Sequence, residues 1–592
     1  VPADLNGYPL TGMCLRLGLL WWSEATQVYV NGNLVQEGDL FDCAPRLLLS
    51  ESVKPGDEFA IVLRLVSPIH DDGALMKSVC HYEAFAPDTP LEPAFIANEL
   101  AVLQSYLERF EPEKLEILTT AIADIDWNLL GTNHDASLLL FTLSLRQLRQ
   151  TLLPLAAPIK QRQIKLLGHA HLDMAWLWSV AETWRAAERT FQSVLNLQKD
   201  FPELTFAHTT PALYEWMEQH RPDLFTQIQA QVKAGKWEIV AGFWIEPELN
   251  LISGESIVRQ VLYGQQYVQE KFGRICPIAW VPDTFGFTWQ LPQILKQGGV
   301  EYFVTQKLRW NDTTKFPYEL FHWQAPDGTR ILSLMSAPIG EFIDPVKMAN
   351  FAWEFEQKTG LPTSLWLPGV GDHGGGPTRD MLEVARRWQQ SPFFPQMEFG
   401  TALEYLEKIG GRGRGSEGVE VQGRTGEFDA TFPPSPPLPT SDAFAVWNSE
   451  LYLEYHRGCY TTHADQKQHN REAENLLYEA ELWAALATIA TGIPYPKAEL
   501  EAAWKNTLFN QFHDILPGSS ITPVFDEAND VWETVSVECW EIIAQAQRSL
   551  VRQLALPAPP HPDARLLVVF NSLNWLRTEV VQLDVWVRSE EQ

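Results

Sequence analysis

The stretch Ile164 to Trp178 reads IKLLGHAHLDMAWLW. It delivers His169, His171 and Asp173 in alternation, directly after the apolar run Ile164 to Leu167 and Gly168. Two imidazoles and a carboxylate can make half of a divalent-metal site, provided the rings are neutral and the carboxylate ionised. Strand side chains repeat every two residues, so the three point the same way if the extended geometry persists. The apolar run suits a buried parallel strand with these donors at its carboxyl end. Trp176 and Trp178 follow and give the rim an aromatic face. A pair of histidines satisfied by the core is the bland alternative, but few structural roles ask for this mixture of His and Asp.

A second carboxylate, Asp283, ends another apolar run in WVPDTFGFTWQLPQIL (Trp280 to Leu295). Pro282 presets the turn and Gly286 frees the backbone after it. A carboxylate held there can be a nucleophile or a metal ligand; alone after Pro it is more often a helix cap. A third cluster, NQFHDILPGSSI (Asn510 to Ile521), places His513 and Asp514 in a helical region far from the first two. A surface His is the default reading there.

The elements that must position these residues follow from length and pattern. A chain of 592 residues exceeds one core, so several domains are expected. Hydrophobic content of 45% with 20% charged residues is ordinary for a globular protein. The 45 basic against 75 acidic residues give a formal charge of −30, which repels nucleic acid and anionic membranes. No apolar run is long enough to span a bilayer. The chain opens VPADLNGYPL, without Met or a signal-peptide pattern, so its first residue is expected not to be the native start. Six scattered cysteines without a CxxC pair fit free thiols in a reducing compartment, hence the cytoplasm. The 23 Trp suit sugar-ring stacking and a large core equally.

Residues 1–93 read as a small β-sandwich, with a hairpin signal at Asn31-Gly32-Asn33. Residues 94–161 carry helical stripes (Ile96, Leu100, Leu103, Leu107; Leu138, Phe141, Leu145, Leu148, Leu152) and read as a helical connector. Residues 162–435 alternate strand and helix, the wiring of parallel strands with a site at their carboxyl ends. Within them a hairpin is expected across Ala325 to Gly328. The glycine-rich loop Gly371 to Thr378 lacks the Lys and spacing of a phosphate loop. Gly410 to Pro439, rich in Gly, Arg and Pro, reads as a long surface loop. Residues 436–557 read as a helical bundle. Residues 558–592 read as the beginning of a C-terminal β-domain, with strand patterning from Arg565 to Val585.

With these blocks in view the chain, from about Ile164 to its end, resembles glycoside hydrolase family 38, the class II α-mannosidases. The blocks are GHAHLDMAWLW, GKWEIVAGFWIEPELNLISGESIVRQ, WVPDTFGFTWQLPQIL, FHWQAPDGTRIL, NSELYLEYHRGCYTTHADQKQHNRE and NQFHDILPGSSI. The β-type N-terminal region points to the cytosolic and bacterial branch. The resemblance implies a (β/α)7-type barrel between the β-sandwich and the bundle. It implies a retaining exo-α-mannosidase with one divalent metal, zinc or another ion such as cobalt, held by His171, Asp173, Asp283 and His513. Asp283 would also be the nucleophile, and Asp344 the acid/base, with Glu341 as the fallback. Retention wants those two carboxyl groups roughly 5–5.5 Å apart. Trp176, Asp514 and Lys307 would contact the sugar. His373 departs from the pattern, which usually has Gly there. The family's large C-terminal β-region is not in this chain. α-Mannosides are the expected partners, with no nucleic acid or membrane, and homo-oligomerisation is open.

Two other readings stand beside this one. An amidohydrolase-like metal hydrolase explains HAHLD but wants further His ligands and usually a Lys at later strand ends. A non-catalytic carbohydrate-binding protein would not need Asp283, His513 and Asp344 together.

Overall fold

The computed structural model describes residues 1–68, 72–84, 91–130, 135–371, 373–411, 444–562, 564 and 566–580. Asp372 and most of the expected Gly410 to Pro439 loop therefore lie outside the described residues.

Alternating apolar positions near the N-terminus pair into two three-stranded antiparallel sheets. One holds β1 (Cys14–Trp22), β4 (Arg46–Ser50) and β6 (Ala74–Glu83), with β1 in the centre. The other holds β2 (Ala25–Val30), β3 (Asn33–Gly38) and β5 (Ile61–Val66), with β2 in the centre. Asn31 and Gly32 turn the β2–β3 hairpin with φ of 51° and 85°, the left-handed pair that this tight turn requires. Leu17, Leu19, Trp21 and Val28 form the core of this region.

Three helices follow: α1 (Pro93–Phe110), α2 (Leu115–Ala123) and α3 (Asp135–Lys160). Their apolar stripes (Leu103, Leu107, Phe141, Leu145, Leu152) share one core with strand residues Ile164 and Leu166. The buried Glu99 is held there by Arg149, at 2.9 and 3.0 Å.

The expected parallel wiring then begins. β7 (Gln163–Leu166) lies between β15 (Thr363–Trp366) and β16 (Gln396–Phe399). The chain runs on through Leu167 into β8 (Gly168–His169), which pairs with β9 (Phe206–His208), and β9 with β10 (Trp237–Ile239). β11 (Ile278–Trp280), β12 (Tyr302–Thr305) and β14 (Arg330–Met335) form a second parallel run. β13 (Leu320–Gln324) is antiparallel to β14, so the expected hairpin is present. The crossovers are α4 (Val180–Asp200), α5 (Pro211–His220), α6 (Pro222–Lys233), α7 (Gly254–Phe272), α8 (Leu291–Gln297), α9 (Pro345–Thr359) and α10 (Arg379–Gln389), with α11 (Ala402–Ile409) after β16. Strands such as Tyr302–Thr305 are buried throughout and mostly apolar because helices cover the sheet.

Three long helices form the last described unit: α12 (Ala464–Thr491), α13 (Lys497–Asn510) and α14 (Thr522–Val551). The expected strand from Arg565 to Val585 is not borne out over residues 566–580, which form no strand. Phe570 packs instead on Trp483 of α12, with ring centroids 5.2 Å apart. Ser572 Oγ also donates to Glu479 Oε1 at 2.9 Å, and among the described residues no strand pairs with this segment.

Candidate metal centre and active-site cavity

His169, His171 and Asp173 do not share one role. The strand ends at His169, and the ring of His169 turns into the core, where Trp280 Nε1 donates to its Nε2 at 3.0 Å. Burial, with His208 and His171 nearby, holds it well below the usual histidine range. It is a neutral acceptor, and the expectation that all three side chains converge fails at this residue.

His171 and Asp173 lie in the irregular segment that follows. Their donor atoms and those of Asp283 and His513 lie within 4.8 Å of one another. Asp283 stands just past the end of β11. Gly286 turns the chain away with φ 131°, and a Cβ there would stand 2.7 Å from Asn250 Nδ2. His513 comes from the turn after α13. Its delivery depends on a buried polar seam between α7 and the bundle. Gln511 Nε2 donates to Ser256 Oγ at 3.0 Å and Asn470 Oδ1 at 2.9 Å, and Glu474 accepts from Ser256 Oγ at 2.6 Å. Gln260 Nε2 donates to the Leu508 carbonyl at 2.9 Å. The block GESIVRQ is thus the socket for the segment that carries His513.

The electrostatics are those of a cation site. His171 Nε2 is 2.8 Å from Asp173 Oδ1. Burial opposes a charged ring, but Asp173 and Glu246 outweigh it and hold His171 up at about 10. His513 is likewise held at about 9 against its burial, chiefly by Glu246 and Asp173. Burial also opposes ionisation of Asp173, yet the two histidines hold it well below the usual carboxylate range. His513 Nε2 stands 3.2 Å from Asp173, 3.5 Å from Asp514 and 3.7 Å from Asp283, yet makes no hydrogen bond. A buried nitrogen aimed at three carboxylates without a hydrogen bond fits coordination to a shared ion. The two-His, two-Asp donor set fits a divalent metal.

A cavity of about 630 Å³ opens over the cluster, lined among others by His171, Asp173, Asp283, Trp176 and Asp514. The buried Lys307 ammonium pairs with Asp283 and lies 4.1 Å from the Trp310 ring centroid. Glu341 also lines the cavity, and Lys347 Nζ contacts both its oxygens at 2.6 Å. Asp344 does not line it. Its exposed carboxylate caps α9, accepting from Lys347 N at 3.0 Å, so of the two expected acid/base residues the fallback Glu341 is the one that lines the cavity.

Sequence reasoning missed Glu246. Its carboxylate is buried, accepts from the backbone of Asp283 at 2.6 Å and Thr284 at 3.1 Å, and lies 3.4 Å from His171 Nδ1. Its carbonyl accepts from His513 Nδ1 at 3.1 Å. The available signal was a lone carboxylate in the apolar run AGFWIEP, where burial demands partners. His456, its ring tilted against Phe285 with centroids 4.2 Å apart beside the same cavity, was also missed.

Comparison with known proteins identifies the family. The profile described as "Glycosyl hydrolases family 38 N-terminal domain" matches residues 161–450, and "Alpha mannosidase middle domain" matches residues 454–550. The chain is 34% identical to alpha-mannosidase 2C1 of Homo sapiens over 432 residues, covering 72% of this chain and 38% of that one. It is 31% identical to alpha-mannosidase G of Dictyostelium discoideum, covering 67% of this chain and 34% of that one. It spans well under half the length of these curated relatives. An alpha-mannosidase structure from Enterococcus faecalis V583 shares the fold, with TM-score 0.55 at 23% identity, over 66% of this chain and 43% of that one. On the two profiles and these relatives, the chain belongs to glycosyl hydrolase family 38.

Proposed function

We propose that this chain carries the active site of a retaining exo-α-mannosidase that releases terminal α-D-mannose. The observation that supports it best is the double position of Asp283, a donor in the four-residue cluster and a wall of the cavity that also holds Glu341. The cluster draws its fourth donor from the helical bundle, which disfavours the amidohydrolase alternative.

In this reading His171, Asp173, Asp283 and His513 hold one divalent metal, zinc by donor type. When bound, the metal supplies Lewis-acid attraction for mannose hydroxyls. Trp176 offers an aromatic face to the sugar and Asp514 a carboxylate to its hydroxyls. Asp283 attacks the anomeric carbon and forms a mannosyl-enzyme. Lys307 keeps a fixed positive charge beside that carboxylate before attack. Glu341 gives its proton to the leaving oxygen, then takes one from the water that hydrolyses the mannosyl-enzyme, so the configuration is retained. The parallel strands read as one (β/α)7-type barrel, flanked by the N-terminal sandwich and the bundle. The branch resemblance and the scattered cysteines support work in the cytoplasm, and among the described residues no helix is long and apolar enough to cross a membrane.

The test is Asp283→Asn with an aryl α-mannoside, following the anomer of the first product by NMR. The reading expects wild type to release α-mannose first and the variant to lose roughly 10⁴-fold or more in kcat. Release of β-mannose by wild type, or wild-type turnover by the variant, would contradict it.

A further inference from the structure

A second cavity, of about 520 Å³, lies between the N-terminal β-region and α4. Trp22, Glu24 and Phe41 line one side; Trp178, Arg185 and His373 line another. The two cavities share a wall. Trp176 and Gly371 face the catalytic cavity, while Trp178 and His373, two residues further along the same segments, face the second. Trp176 and Trp178 meet edge to face with centroids 6.0 Å apart, and Trp178 lies 4.7 Å from His373.

We propose that this second cavity is a subsite for the part of an oligosaccharide substrate beyond the mannose that is cleaved. The proposal rests on the mannosidase reading above and deepens it. Aromatic faces take the C–H faces of sugar rings, while guanidinium and carboxylate groups pair with hydroxyls in a plane. Here both kinds are present in one concavity of a volume usual for small-molecule sites. Glu24 is oriented by an ion pair with Arg189 across the two regions. Arg185, among the described residues, has no hydrogen-bond or ion-pair partner, so its donor fork is free for a ligand. The charges lining the cavity are of both signs, which favours a neutral, hydroxyl-rich occupant over an anion or a cation. His373 narrows this cavity rather than the catalytic one. Contacts this far from the reacting bond can be spent on orienting the substrate.

The test compares wild type with Trp22→Ala and Arg185→Ala, the second an exposed residue with no structural partner to lose. Two substrates are used, 4-nitrophenyl α-mannoside and an α-linked mannotriose, together with mannotriose binding by saturation-transfer NMR. The expected result is about a tenfold loss of kcat/KM on mannotriose and of its binding in both variants, with the aryl mannoside unchanged. Equal mannotriose kinetics and binding in all three proteins would overturn the subsite, as would parallel losses on both substrates with Arg185→Ala. Should wild type hydrolyse neither substrate, the mannosidase reading fails separately. Mannotriose binding then decides alone: loss in both variants upholds the subsite and equal binding overturns it.

Discussion

The carbonyl of Glu246 accepts a hydrogen bond from His513 Nδ1 at 3.1 Å, tying the segment after β10 to the helical bundle. The same residue's carboxylate reaches the Asp283 backbone and lies 3.4 Å from His171 Nδ1. One side chain and its own carbonyl therefore orient three of the four clustered donors. Groups in that position tune ligand basicity and typically change metal affinity by about 10–100-fold when removed. Glu246→Gln is expected to weaken metal retention by that order while keeping the fold. Metal content after graded chelator treatment, alongside circular dichroism, checks this; unchanged retention would refute the role.

Glu341 lines the cavity, whereas Asp344, three residues on, caps α9. Glu341→Gln is expected to lose turnover on mannosides with poor leaving groups far more than on aryl mannosides, because only the former need a proton on the leaving oxygen. Asp344→Asn removes a charged helix cap and should leave turnover near wild type, costing at most about 1 kcal/mol of stability. Parallel kinetics of the two variants on both substrates, with a chemical melt for stability, decide it; a turnover defect confined to Asp344→Asn would reverse the assignment.

Glu238 offers a pH prediction away from the metal centre. It is buried, and its carboxylate accepts from Ala402 N at 2.6 Å and Leu403 N at 3.0 Å at the start of α11. Burial pushes its pKa up to about 7 from 4.5, against those hydrogen bonds. A raised carboxyl pKa favours the protonated form in the folded state. Its stabilising contribution is therefore full below pH 4.5 and is lost as pH rises towards 7. Relative to Glu238→Gln, wild type should lose about 3 kcal/mol across that window. Denaturant melts at several pH values measure the difference, and a flat difference would reject it.

Much of this was legible in the sequence because strong local signals coincide with the site. The strands into β8 and β11 are short apolar runs, and the turn residues Pro282 and Gly286 mark where the chain leaves the sheet. Asn31-Gly32 specified its hairpin through backbone conformation alone. What was not legible depends on contacts between distant segments. Glu246 gains its meaning only when His171, Asp283 and His513 surround it. His169 looked equivalent to His171 by period, but the strand ends between them and Trp280 claims its ring. Asp344 and Glu341 differ by the turn that starts α9, which sends one carboxylate to cap the helix and the other into the cavity.

The most direct measurement is metal content per chain, by elemental analysis, for wild type and His513→Ala. The two are to be purified without added metal and compared at matched folding. A single site shared by the strand ends and the bundle predicts one metal per wild-type chain, lost or much weakened in the variant. One metal retained equally in both would mean that the strand-end donors hold it alone, and would contradict the shared site.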